Sequence, residues 1–559
     1  MKRPATFTLN WYNQAMSISE ALEVESKFEV AADVPAPSPD AFAPFIADAP
    51  VEHELSATYY DTPDLTLTRH RVTLRRRTGG GDEGWHLKLP GSVGRLELQA
   101  PLGDEIPDKL ITAVAGLVRR RELTPIARID NRRQVILLRD SEGTAVVEFC
   151  DDRVSTDSFV PGGSASRWRE WEAELVDPEL PHSYEALAEV SATCIAAGAV
   201  ASSSSSKLAR AVGPIPDAWD RGVSPVRDAL GADLLQLLDH DPAARRITMT
   251  GVHQMRVAVR GLRSTISSYA AELDAETAGT DLDLATLLDE LKVLAAVLGK
   301  VRDIQVVDQR LGTIAAGYPE DVVSSQTRQR LRTELDAEEK RAGERLAAAL
   351  ASDRYIDLVD GLHELVRVAG TDPDAGRGID DGPAPTMKGK KQRRQAEELI
   401  LRGVDRQFAK FAKTRTRTER DLASLDLTLS QREELTHVVR KRAKALRRNV
   451  GSLPDSSRLS VEPLRTACQR LHTVLGEVQD SVTARQWIRR IARRAESAGE
   501  STFGLGVLFE NERGFSERTL AGFESDAATV TAAYRELAES RRAARRKKSK
   551  SGKKSRKKD

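Results

Sequence analysis

Charge and bulk alternate with a period of two along several N-terminal segments, and that pattern restricts this part of the chain to a closed sheet with a charged interior. In Glu23-Val24-Glu25-Ser26-Lys27-Phe28-Glu29 the residues Glu23, Glu25, Lys27 and Glu29 share a face, because successive side chains of a strand point to opposite sides. Leu74-Arg75-Arg76-Arg77 sends Arg75 and Arg77 to one side, and Trp85-His86-Leu87-Lys88-Leu89 separates His86 and Lys88 from Trp85, Leu87 and Leu89. Arg95, Glu97 and Gln99 share a face in the next ribbon, as do Glu170, Glu172 and Glu174, while Trp171, Ala173 and Leu175 point away. One such strand is compatible with a sheet that shows water one polar face. Repetition over several strands predicts a barrel with a charged lumen and an apolar outside. Carboxylates one pleat apart can hold a hard divalent cation through oxygen, and a nearby ammonium or guanidinium can neutralise an anion shared with it.

Over residues 17–212 these motifs resemble the CYTH family, the triphosphate tunnel metalloenzymes. The family's ExExK signature is matched by Glu23, Glu25 and Lys27, and its paired arginines by Arg75 and Arg77 after the turn Tyr60-Asp61-Thr62-Pro63-Asp64. Its tunnel lysine matches Lys88, and a later strand arginine matches Arg133, with Arg132 as an alternative register. The family's aspartate after an apolar strand falls on Asp152 or its neighbour Asp151; the late glutamates fall on Glu170, Glu172 and Glu174, and the closing Ser-Lys element on Ser206 and Lys207. The resemblance implies an eight-stranded antiparallel β tunnel in which metal-bound triphosphate is hydrolysed or, in a minority of members, cyclised.

A chain of 559 residues exceeds a single core, so further domains are expected. With 40% hydrophobic and 30% charged residues it reads as a soluble globular protein with no apolar run long enough for a bilayer. Asn10, Asn13 and Gln14 interrupt any signal-peptide core, Met16 is a second candidate start, and Cys150, Cys194 and Cys468 form no CxxC, so a reducing cytoplasm is expected. The net charge of +1 conceals a basic tail, because residues 541–559 carry twelve Lys or Arg against Asp559 alone. That tail is expected to be disordered and to favour polyanions, with nucleic acid as a partner only through it.

After the serines of residues 202–206 and the Pro214-Ile215-Pro216 break, helical periodicity replaces strand periodicity, interrupted by a Gly/Asp/Pro-rich linker at residues 370–385. An internal repeat stands out. His253, Arg256, Arg260 and Arg263 recur as His437, Arg440, Lys444 and Arg447, with Lys441 added, and each set occupies a helical stripe roughly 80° wide. Leu298-Gly299-Lys300-Val301-Arg302-Asp303 recurs as Leu475-Gly476-Glu477-Val478-Gln479-Asp480. A charged stripe is commonly a solvated helix face, but like charge rebuilt twice on one stripe calls for a neutralising anion. Over residues 219–535 these motifs resemble the CHAD family, which implies polyphosphate binding by His253, Arg256, Arg260, Arg263, Arg302, His437, Arg440, Lys441, Lys444 and Arg447. Gln479 departs from the pattern, standing where the first half has Arg302.

No phosphate loop follows Gly79-Gly80-Gly81, which suits a hairpin instead, and neither HExxH nor GxSxG occurs. The expected fold is therefore α+β: an N-terminal eight-stranded antiparallel β tunnel, then an all-α domain of two pseudo-symmetric helical bundles. The expected function is metal-dependent hydrolysis of triphosphate, most simply inorganic triphosphate, with polyphosphate as a second partner and polyphosphate granules as a site of association. Lys27, Arg75, Arg77, Lys88, Arg133 and Lys207 are assigned to phosphate oxygens. Glu23, Glu25, Asp152, Glu170, Glu172 and Glu174 are assigned to Mg²⁺ or Mn²⁺, and Lys27, Glu170 and Glu172 to catalysis. Adenylyl cyclase or thiamine triphosphatase activity, and a non-catalytic polyphosphate binder, are the alternatives.

Overall fold

The computed structural model describes residues 18–91, 93–204, 206–215, 217–219, 224–369, 390–423, 426–451 and 461–555, with backbone only at 225, 390–400 and 544–555. Met16 and the linker at residues 370–385 lie outside the described residues. Eleven strands build one antiparallel sheet: β1 (Ser19–Glu23), β2 (Glu25–Val30), β3 (Ile46–Ala47), β4 (Val51–Asp61), β5 (Thr73–Thr78), β6 (Gly84–Pro90), β7 (Arg95–Ala100), β8 (Thr124–Arg139), β9 (Ala145–Ser158), β10 (Ser166–Leu175) and β11 (Val200–Ala201).

The strand order β1-β7-β6-β5-β4-β8-β9-β10-β2-β11 begins and ends near a single ribbon, because β1 and β2 are separated only by Val24. The first half of that ribbon pairs with β7 and the second with β10, so the sheet closes on itself. The expected count of eight strands is corrected to eleven. The ribbon counts twice because it changes partner at Val24, and the two-residue strands β3 and β11 are added to β8 and β2. Eight long ribbons remain. At the change of partner Leu175 N donates to Val24 O at 2.9 Å, and Gly94 lies so close that a Cβ there would sit 2.0 Å from Glu23 O. Its φ of +68° is in the left-handed region that glycine tolerates.

The outer faces carry the core. Phe28, Phe149, Trp171, Ala173 and Leu175 pack under Leu187, Val190 and Cys194 of the helix Ser183–Ala196. A second cluster reaches the inner face: Ala57, Tyr59 and Ile129 of the cavity wall, with Ile126 and Ala127, pack against Leu208 and Ala211 of the short helix Lys207–Val212, which Ser206 caps by accepting from Ala209 N at 3.1 Å. All three cysteines are buried and free.

From residue 225 onward every described regular element is a helix, and none of the described helices is long and apolar enough to cross a membrane. The chain divides into two compact units, Met1–Arg302 with Ala342–Ile379, and Asp303–Arg341 with Asp380–Asp559. The first contains the tunnel. One copy of the His-basic repeat falls in each, on the helices Met249–Ser268 and Leu429–Gly451. The basic tail, expected to be disordered from residue 541, instead continues the helix Phe523–Ser555. Extending a helix already begun avoids the cost of nucleation, and Ala, Arg and Lys are good helix formers. Asp405 anchors that helix by accepting from Tyr534 at 2.8 Å and Arg541 at 2.7 Å.

Candidate active site

Seven Lys or Arg and seven Asp or Glu line a cavity of about 540 Å³ inside the barrel: Lys27, Arg75, Arg77, Lys88, Arg95, Arg133 and Lys207 against Glu23, Glu25, Asp82, Glu97, Glu148, Glu172 and Glu174. The turn before β5 places the paired arginines. Asp61 is buried and accepts from Leu67 N and Thr68 N at 2.8 Å each, so this residue of the Tyr60–Asp64 motif organises backbone and stands outside the cavity wall. The two open registers resolve on opposite faces. Arg132 points outward to Glu52, and Asp151 pairs with Arg169, whereas Arg133 and Asp152 meet inside at 2.7 and 2.6 Å.

Glu172 is the hub of one group. Its carboxylate accepts from Lys207 at 2.7 Å and also from Lys27 and Arg133, while Lys27 reaches Glu25 at 2.7 Å. Lys207 reaches Asp152 at 2.8 Å and Glu170 at 2.6 Å. Burial alone would raise these carboxyls, but Lys207, Lys27 and Arg133 hold Glu172 well below the usual range, and Arg133 and Lys207 hold Asp152 down as well. Asp152, Glu170 and Glu172 each offer an oxygen within 4.8 Å of the others, a set able to hold a divalent ion.

A second acidic group lies on the ribbon beside β10, where Glu25 is opposite Glu174. Glu23 contacts Lys88 through one oxygen, while its buried Oε2 has no hydrogen-bond partner. Burial and then the like charge of Glu23 push Glu174 up to about 8, and burial raises Glu23 as well. Clustered carboxyls raised by burial and by one another's charge are the chemistry a divalent ion fits.

The expected tunnel residues thus converge, with Asp152 and Glu170 reached through Lys207. Sequence reasoning put Glu97 on a shared face but gave it no role. It accepts from buried His86 Nδ1 at 2.8 Å and lies 3.6 Å from both Arg75 and Lys88. Arg95, Glu148 and Tyr59 were also left unassigned, although alternation along each strand carries the signal for the first two.

The helical faces are simpler. On Met249–Ser268 the residues Val252, Met255, Val259 and Leu262 are buried, leaving His253 exposed and Arg256, Arg260 and Arg263 half-buried. Partial burial, then Arg302, Arg260 and Arg256, hold His253 below its usual value. On Leu429–Gly451, Lys441 is exposed, and His437, Arg440, Lys444 and Arg447 are half-buried. Each repeat makes the same internal contact. A Cβ on Gly299 would lie 3.8 Å from the Arg256 guanidinium, and one on Gly476 would lie 3.4 Å from that of Arg440.

A CYTH domain model matches residues 21–164 and a CHAD domain model residues 228–489. An uncharacterized protein of Mycobacterium tuberculosis is 33% identical over 516 residues, 89% of this chain and 94% of that protein. The crystal structure of the CHAD domain from the plant Ricinus communis is similar at 19% identity and a TM-score of 0.36, covering 55% of this chain and 89% of that one. A Hippeastrum protein, described as revealing a dominant triphosphatase activity, is similar at 18% identity and a TM-score of 0.20, covering 34% of this chain and 94% of that one.

Proposed function

The chain belongs to the family that joins a CYTH domain to a CHAD domain, and on that premise we propose that its tunnel hydrolyses inorganic triphosphate with a divalent cation. The observation that carries this reading is the balance of the wall, seven basic against seven acidic side chains around one cavity. A triphosphate entering alone would bring in several uncompensated negative charges. Together with divalent cations it leaves the wall near neutrality, because basic residues exchange carboxylate partners for phosphate oxygens and the released carboxylates take the cations.

Lys27, Arg75, Arg77, Lys88, Arg133 and Lys207 would hold the phosphate oxygens. Glu23, Glu25 and Glu174 would hold one Mg²⁺ or Mn²⁺ ion, for which the unpartnered Glu23 Oε2 and the raised Glu174 are suited, and Asp152, Glu170 and Glu172 a second. Bound there, such ions supply charge neutralisation and a more acidic water. Water would add to the terminal phosphorus as its bridging P–O bond breaks, pyrophosphate leaving with the bridging oxygen and the water's proton passing to a phosphate oxygen, and the charge that spreads over the oxygens meets preorganised cations. Glu172, kept ionised by its three cations, accepts a hydrogen bond from that water and orients it, and Glu170 stands beside it. Among the described residues of the cavity wall Tyr59 and His53 are the ring-bearing side chains, against seven Lys or Arg, so the wall offers far more for phosphate oxygens than for a base, which favours the inorganic substrate.

We assign polyphosphate binding to the two His-basic faces, supported by the contact repeated at Gly299 and Gly476. Phosphate release from the full chain with inorganic triphosphate, ATP and thiamine triphosphate, each with and without Mg²⁺ or Mn²⁺, tests the enzymatic reading. Release from inorganic triphosphate that depends on the metal is expected. No release with either metal, while long-chain polyphosphate still binds, would leave a binding protein.

A further inference from the structure

Asp152 and Glu170 stand off the cavity wall, although Glu172 beside them is part of it. Lys207, which lines the cavity, reaches all three. Its ammonium lies 2.6 Å from Glu170 Oε1, 2.7 Å from Glu172 Oε1 and 2.8 Å from Asp152 Oδ2. Among the described residues no other tunnel cation does so: Lys27 touches Glu172 and Glu25, and Arg133 touches Asp152 and Glu172. A cation of the chain itself thus sits among the three carboxylates assigned to the second metal ion.

That cation is an imperfect fit. Glu170 is 5% exposed, and its Oε1 makes no hydrogen bond despite the ammonium beside it. An ammonium has three donors in fixed directions, whereas a metal ion takes an oxygen lone pair with no proton to aim. Burial opposes the charge on Lys207, but Asp152, Glu172 and Glu170 hold it well above its usual value, so it stays a cation. The backbone beneath is fixed, because Lys207 opens the helix Lys207–Val212, which Ser206 caps and whose Leu208 and Ala211 are packed. The side chain has a flexible four-carbon stem and can turn without it. A divalent ion and the ammonium repel one another and compete for the same oxygens.

We propose that Lys207 is a tethered place-holder for the second divalent ion. Without a phosphate chain its ammonium occupies the Asp152, Glu170 and Glu172 group; when the chain enters, the ammonium turns to a phosphate oxygen and opens the group to metal. This rests on the triphosphatase reading above and adds an order to it. Glu23, Glu25 and Glu174 are open to an ion at any time, and the second group only once phosphate has drawn Lys207 away.

The test is calorimetric titration of Mn²⁺ alone into the full chain, for wild type, Lys207→Met and Arg77→Met, with thermal melts to check folding. Arg77→Met removes an equal charge from the same cavity but pairs with Asp82 and with none of the carboxylates assigned to metal. Lys207→Met is expected to bind Mn²⁺ about tenfold or more tightly than wild type, and Arg77→Met within about threefold of it. A lysine that merely braced the site would weaken Mn²⁺ binding when removed. Lys207→Met at or below wild-type affinity, or an equal gain in Arg77→Met, would overturn the proposal. If Lys207→Met does not fold, anomalous diffraction from wild-type crystals soaked in Mn²⁺, with and without pyrophosphate, decides. An ion among Asp152, Glu170 and Glu172 only in the presence of pyrophosphate is expected; an ion there with Mn²⁺ alone, or in neither soak, overturns the proposal. Metal-dependent phosphate release from wild type separates the two readings. Normal release with no gain in Lys207→Met overturns only the place-holder, a gain without release overturns only the triphosphatase, and no Mn²⁺ binding by any of the three proteins overturns both.

Discussion

Replacing Glu172 by glutamine is expected to move stability and affinity in opposite directions. The carboxylate serves Lys27, Lys207 and Arg133, and its loss leaves three buried cations with one fewer partner each. Removing one member of a buried ionic group costs about 3–5 kcal/mol. The lower end applies here because Lys27 keeps Glu25, Lys207 keeps Asp152 and Glu170, and Arg133 keeps Asp152. A loss of about 3 kcal/mol corresponds to a Tm lower by roughly 4 °C for a unit as large as Met1–Arg302 with Ala342–Ile379. The cation excess that remains should tighten inorganic triphosphate binding in a chelator, while metal-dependent turnover collapses. The pH dependence follows in sign. Glu172 has a folded pKa below its unfolded one, so its stabilisation is present above about pH 4.5 and is lost as pH falls through the depressed value. The variant should therefore lose part of the wild type's acid sensitivity. Calorimetric melts and metal-free titrations of both proteins measure these effects. An unchanged Tm, or weaker metal-free binding, would refute the idea that Glu172 neutralises the phosphate-facing cations.

Glu23→Gln and Glu25→Gln should each reduce metal-dependent phosphate release at least about a hundredfold while leaving metal-free triphosphate affinity equal or higher; unaltered release in both would remove the ribbon from the metal site. Gly116→Ala should destabilise the first unit by about 1–3 kcal/mol, since its Cβ would lie 2.4 Å from the buried Asp241 carboxylate that Arg245 and Tyr355 hold; a denaturation midpoint equal to wild type would contradict that contact. Burial, then Arg119 and Arg121, hold His363 at about 3, below its unfolded value, so the stability it contributes is complete above about pH 6.5 and falls as the medium is acidified towards 3. His363→Gln should flatten that fall, which is at most about 1.4 kcal/mol per pH unit, in melts between pH 4 and 7. His253 and His437 are both held below their usual value, so long-chain polyphosphate should bind more tightly at pH 6 than at pH 8 with uptake of protons; affinity indifferent to pH would place the chain away from both imidazoles.

Alternation alone located most of the tunnel wall because Glu23, Glu25 and Lys27, or Glu170, Glu172 and Glu174, need only a strand to share a face. It could not choose between Arg132 and Arg133 or between Asp151 and Asp152, since a shift of one residue exchanges inside for outside and the register is set by distant partners. Here Glu52 and Arg169 draw Arg132 and Asp151 outward. Tyr59 was hidden for a related reason. The β4–β8 register shifts between Tyr59 and Tyr60, so counting back from the Asp61 turn does not give its face. The role of Glu97 emerges only when His86, Arg75 and Lys88 meet across three strands. The helix through Ser555 was hidden by composition, because a basic run with nothing to bury reads as tail until the helix that precedes it is seen.

The ribbon that changes partner at Val24 has a consequence for the order of assembly. Its first half waits for β7, but its second half cannot pair until β10 exists, across a sequence separation that runs from Glu25 to Glu174. During synthesis, therefore, the earliest strand of the barrel leaves the ribosome with one long edge unsatisfied, and barrel closure is among the last tunnel events. Such distant pairing is slow and leaves a strand edge open to other chains meanwhile. Glu25, Lys27 and Glu29 sit on that waiting edge, where charge discourages a second copy from pairing with it. Two of these side chains, Glu25 and Lys27, which line the finished tunnel, would on this view first serve to keep nascent chains apart.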